Sequence, residues 1–189
     1  MPRHLSSSPP RLAPVSCRPS CPLSQYETVG DAYVAAANIF REDPTHSMTL
    51  LKLGVTLIKL MASVRIPMPD GSTHQLSARV GIHRGPCSGG VLGLERSVLQ
   101  LVGDTLNTAS RMESTGQPNC VQVTGDVFDA LPAHIQALFV DRVVVAEGKG
   151  EMKTHLLDVL NHPEVPASGL SLIDDPETWS DILALPDRV

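Results

Sequence analysis

The pattern that most restricts this chain is a change of period: apolar side chains recur at helical intervals over residues 47–64 and at every second position over residues 77–83. Leu50, Leu53, Leu57, Leu60 and Met61 make one apolar helical stripe, and Pro67 and Pro69 bring it to an end. Ala78, Val80 and Ile82 then alternate with Arg79, Gly81 and His83, as in a half-buried strand. Upstream, apolar runs at residues 26–29 and 33–37 are separated by Gly30-Asp31, which predicts a β-hairpin with Asp31 at its tip.

Downstream, residues 97–102 read as a strand, and residues 106–115 as a helix that Gly116 stops. Asp104 or Thr105 is placed to cap that helix. Residues 121–123 read as a strand and residues 127–139 as a helical region interrupted near Pro132. Residues 142–146 and 153–160 then flank a turn that carries Lys149. Strands and helices mix without a strict βα repeat, so the spacing predicts an α+β domain with helices on a mixed or antiparallel sheet.

Composition narrows the function. With 15 Lys+Arg against 20 Asp+Glu, a formal net charge of −5, the chain offers no broad basic surface for nucleic acid. The apolar run at residues 50–61 contains Lys52 and Lys59 and is too short to cross a bilayer. Cys17, Cys21, Cys87 and Cys120 have neither zinc spacing nor a disulfide framework, which points to a reducing, cytoplasmic setting. Pro and Ser fill 12 of the first 25 positions, so residues 1–25 read as a disordered segment. Arg3, Arg11 and Arg18 without an acidic neighbour also leave organelle targeting open. The expected organisation is a disordered segment at 1–25, a catalytic domain at 26–160 and an acidic, proline-containing tail at 161–189.

Three segments carry a family likeness: YETVGDAY at residues 26–33, ARVGIHRGPCSGGVLGL at 78–94 and VGDTLNTASRMESTGQP at 102–118, with EGKGEMKT at 147–154 as a weaker fourth. Together they resemble the catalytic domain of class III nucleotidyl cyclases, specifically the guanylyl cyclase branch. The resemblance implies a ferredoxin-like, palm-type sheet and conversion of GTP to cyclic GMP and pyrophosphate. It also implies Mg²⁺ or Mn²⁺ in a site shared across a head-to-tail dimer, either a homodimer or a heterodimer with another cyclase domain. By the same resemblance Asp31 matches a metal aspartate, and Glu27 matches the carboxylate that accepts hydrogen bonds from guanine N1–H and N2–H₂. Gln100 stands at a second base-reading position; it can both donate and accept, so it leaves the choice between GTP and ATP open. Asn107 and Arg111 match the pair that orients the ribose and stabilises the pentacoordinate phosphate, and Lys149 matches a lysine for the β- and γ-phosphates.

His83 and the glycine-rich stretch from Gly85 to Gly93 read as structural, the latter as turning backbone without a Walker lysine. No Asp or Glu precedes Glu27, although the family carries its other metal aspartate on a strand upstream of the Gly-Asp hairpin. The expectation is therefore an N-terminally incomplete domain, weak or inactive as a homodimer, that meets its metal carboxylates in a complete partner. The alternatives are a non-catalytic cyclase-like module that heterodimerises with a true cyclase, and an adenylate cyclase.

Overall fold

A computed structural model describes residues 23–39, 42–92 and 98–161, with side chains placed for all of these except residues 23–29, 91, 92, 98 and 99. Its first element is the expected hairpin, β1 (Leu23–Val29) and β2 (Ala32–Ala37), in which Val29 pairs with Ala32 across a two-residue turn. Gly30 takes φ +62 at the first turn position, where glycine lacks the Cβ penalty. β1 begins three residues before the boundary expected at residue 26, and a bulge shifts its register between Gln25 and Glu27.

Helix α1 (His46–Ser63) follows, its start tied by the Asp43 carboxylate, which accepts from Thr45 N at 2.8 Å, Thr45 Oγ1 at 2.6 Å and Thr49 Oγ1 at 3.1 Å. Its apolar surface is wider than the expected single stripe. Leu51, Val55 and Ile58 are fully buried against Ile82, Val121 and Leu157, whereas Leu50, Leu53 and Leu57 meet Ala35 and Ala37 of β2. The helix is therefore apolar on two faces because it serves two sheets, and Leu60, assigned to the stripe, is 45% exposed. Beyond Ser63 the chain forms a small hairpin, β3 (Arg65–Pro67) and β4 (Thr73–Gln75), so Pro67 ends in an exposed short strand rather than a plain helix stop.

β5 (Val80–Ile82) is shorter than the alternation at residues 77–83 predicts. The glycine-rich stretch also departs from expectation: Ser88–Leu92 forms strand β6, paired antiparallel with β7 (Val98–Val102). Glycines carry no side-chain alternation, so a strand built from them leaves no periodic signal. Then come α2 (Asp104–Ser114), β8 (Cys120–Thr124), the short helices α3 (Gly125–Asp129) and α4 (Ala133–Gln136), and the hairpin β9 (Val140–Ala146) and β10 (Gly150–Asp158).

The main sheet has the order β5-β8-β10-β9, with β5 parallel to β8 and the other pairs antiparallel. β8 is buried along its whole length, as a central strand must be. This is the α+β architecture with a mixed sheet and packed helices that the sequence predicts. The expected segments at residues 1–25 and 161–189 lie almost wholly outside the described residues. Among the described residues no helix is long and apolar enough to cross a membrane.

Candidate active site

The site is organised on α2. Asp104, Asn107 and Arg111 are three and four residues apart, which sets them on one helix face. The approach of that helix is fixed at Gly81: a Cβ there would lie 2.1 Å from Glu113 N and 2.6 Å from Ala109 O, so only glycine lets α2 lie directly on β5. Arg79 Nε donates to Glu113 Oε1 at 2.8 Å beside that contact. At the far end, Gln122 is fully buried on β8, and its Nε2 donates to Thr115 Oγ1 at 2.7 Å and to Met112 O at 3.3 Å. Its Oε1 accepts from Arg142 at 2.9 Å, and Arg142 also donates to Thr115 O at 2.9 Å. A satisfied polar network thus joins α2, β8 and β9. No sequence pattern singled out Gln122 or Arg142.

The turn between β9 and β10 faces α2. Gly148 and Gly150 take φ +75 and +74, so Glu147 and Lys149 alternate with two left-handed glycines at a tight tip. Lys149 Nζ donates to the Asp104 carboxylate, and Arg111 stands 3.3 Å from Glu147 Oε2. Asn107 is exposed between these two ion pairs. Asp104 is therefore not the cap expected of it: Gly103 occupies the N-cap position without a side-chain cap bond, and Asp104 begins the helix with its carboxylate turned to Lys149. Its pKa is lowered, chiefly by the hydrogen bond from Lys149, with desolvation opposing. Thr105, the other candidate cap, donates its hydroxyl to Pro86 O at 2.5 Å and anchors the loop after β5.

That loop and α3 enclose a cleft of about 580 Å³ lined by His83, Arg84, Gly85, Pro86, Asp126, Asp129 and Ala130. His83 Nδ1 lies 2.9 Å from Thr124 Oγ1. Burial lowers the His83 pKa most; Asp126 and Asp104 pull it up and Lys149 pushes it down.

Asn107, Arg111 and Lys149 are thus brought together, with Asp104 and Glu147 as partners that the motif reading missed. Both carboxylates lie inside the matching segments, but their roles depend on contacts across 36 and 45 residues. The other expected residues lie on other elements. Asp31 is exposed at the hairpin tip; Glu27 pairs with Val34 on β1, its side chain outside the described set; and Gln100 is exposed on β7 opposite Gly90. β1 and β7 lie in contact, which brings the strands of Glu27 and Gln100 to one side of the fold. Among the described residues no group of three His, Cys, Asp or Glu could hold a metal ion. One carboxylate does not make a site for Mg²⁺ or Mn²⁺, which take several oxygen ligands.

A mixed α+β sheet with an amide, a guanidinium and an ammonium on one helix-hairpin face is the arrangement expected of a nucleotide cyclase domain. Comparison with known proteins agrees: residues 20–159 match the Adenylate and Guanylate cyclase catalytic domain family, and the chain belongs to that family. It is 32% identical over 155 residues to Guanylate cyclase 32E of Drosophila melanogaster, covering 81% of this chain and 13% of the relative. It is 38% identical over 135 residues to human Atrial natriuretic peptide receptor 2, covering 69% of this chain and 12% of the receptor. The chain therefore spans about an eighth of the length of these relatives. Among solved structures, the guanylate cyclase domain of RhGC from Catenaria anguillulae, in complex with GTP, superposes with a TM-score of 0.59 at 29% identity, covering 71% of each chain. The guanylyl cyclase Cya2 shares the fold, with a TM-score of 0.61 at 17% identity over 70% of this chain and 68% of that one.

Proposed function

We propose that this guanylate cyclase-type catalytic domain takes GTP and closes it to cyclic GMP. The ribose 3′ oxygen attacks the α-phosphorus, the bond to the pyrophosphate oxygen breaks, and the hydroxyl proton passes to solvent or to a base on the partner side. The observation that carries this reading is the shared exposed face of Asn107 and Arg111 with Lys149 on the turn opposite. A planar amide fixes the ribose, a guanidinium fork meets the equatorial oxygens of the transition state, and an ammonium neutralises the β- and γ-phosphates. Preorganised charge of this kind stabilises what develops during reaction without reorganising.

Glu27 reads the guanine N1–H and N2–H₂ edge, and Gln100, on the neighbouring strand, is the second base contact. Asp31 is the candidate metal carboxylate; among the described residues no group of three His, Cys, Asp or Glu could hold a metal ion, so no step is assigned to Mg²⁺ or Mn²⁺ within this chain. In this reading the site is completed across a head-to-tail dimer, either a homodimer or a heterodimer in which a complete cyclase domain brings the metal-binding half. The shared setting is the cytoplasmic side of a signalling protein.

The test is product analysis. The purified chain, alone and mixed with a complete cyclase domain, is incubated with GTP or ATP and Mn²⁺, and cyclic GMP and cyclic AMP are measured. Cyclic GMP well above the partner's own output supports the reading. Complex formation without added turnover favours a non-catalytic pairing module, and added cyclic AMP alone favours ATP.

A further inference from the structure

The roles above leave two carboxylates on the same face without a task. Asp104 and Glu147 each neutralise one of the cations assigned to the substrate, but the two pairs differ. Lys149 and Asp104 are 27% and 71% exposed and are directly hydrogen-bonded, whereas Arg111 and Glu147 are 39% and 86% exposed and meet through one nitrogen at 3.3 Å. A single-point contact with a solvated carboxylate is weak, and a phosphate meets a guanidinium with two parallel bonds. The two left-handed glycines shape the backbone of the turn, and the Glu147 side chain is 86% exposed, so solvent can take the place of its contact with Arg111.

We propose that Glu147 is an internal stand-in for the substrate phosphate: it occupies Arg111 when no nucleotide is bound, and the incoming triphosphate displaces it, so Glu147 sets the affinity for nucleotide. Asp104 stays on Lys149 as a positioning residue that holds the ammonium against α2. The inference rests on the reading of Arg111 as a phosphate contact. It adds that the free domain carries its own weak competitor, built into the turn that delivers Lys149.

The experiment titrates a ribose-labelled fluorescent GTP analogue into the intact chain and four variants, with thermal melts to verify folding. Glu147→Gln is expected to tighten binding by roughly 1.5- to fivefold, the scale of one lost exposed ion pair. Arg111→Ala is expected to weaken it. Glu147→Gln on top of Arg111→Ala is expected to add nothing, because the competitor acts only through Arg111. Glu151→Gln removes the same charge from the neighbouring exposed position of β10 and is expected to leave affinity unchanged. Unchanged or weaker binding by folded Glu147→Gln, or an equal gain in Glu151→Gln, overturns the stand-in and leaves the Arg111 reading intact provided Arg111→Ala still loses affinity. Binding that Arg111→Ala does not alter, or no binding by any form, overturns both.

Discussion

His83 shows what a single residue contributes at this site. Its Nδ1 faces Thr124 Oγ1 at 2.9 Å, and burial lowers its pKa from the ordinary 6.5, so folding favours the neutral imidazole. The unfolded chain takes up the proton near pH 6.5, so it binds more protons than the folded chain just below that value. Stability is therefore present in full above about pH 6.5 and falls as the pH drops below it. His83→Gln keeps a hydrogen-bonding group without the titration, and a smaller loss of melting temperature between pH 7.5 and 5.5 is expected of it. Equal losses in both proteins contradict the assignment. The lowered pKa of Asp104 acts in the same direction at lower pH: its charge, and its hold on Lys149, persist above the ordinary carboxylate value of 3.8 and are lost as the pH falls through the lower folded value.

At the scale of elements, the site depends on where α2 lies, and one glycine decides that. A Cβ at residue 81 would stand 2.1 Å from a backbone nitrogen of α2, a distance that side-chain rotation cannot relieve. Gly81→Ala is therefore expected to cost about 3 kcal/mol or more, read as a lower denaturant midpoint, with loss of hydrogen-exchange protection along α2. A midpoint unchanged from the parent chain contradicts this docking. Several elements were legible because their cause is local. The Gly30-Asp31 hairpin needs only a turn residue with positive φ between two apolar runs, and the common face of Asn107 and Arg111 needs only helical spacing. β6 was not legible, because glycines have no side chains to alternate. Asp104 looked like a cap because Asp is the residue type that caps helices, and only the hairpin folding back shows its carboxylate turned to Lys149. Gln122 and Glu147 gave no signal of their contacts, since burial in a polar network and pairing across 36 residues leave no periodicity in a sequence.

For the whole molecule, α1 is the common floor: one of its faces supports the four-stranded sheet and the other the β1-β2 hairpin. That division explains why the apolar stripe read from the sequence named the residues facing the hairpin and missed Leu51, Val55 and Ile58, the most buried residues of the helix. It also sorts the functional residues. The face that carries Asn107, Arg111 and Lys149 belongs to α2 and the β9-β10 turn, while Asp31 is exposed at the tip of the hairpin. A molecule so divided should complement a partner that has the metal carboxylates and lacks the amide and guanidinium. The most direct measurement is cyclic GMP formed from GTP and Mn²⁺ by a mixture of this chain with a cyclase domain whose own Asn/Arg pair has been replaced. The account predicts turnover with the parent chain that falls by at least about a hundredfold when Arg111 becomes Ala, the scale of removing one preorganised transition-state donor. Turnover that is the same with Arg111→Ala as with the parent chain, or absent from a mixture shown to form the complex, would contradict it.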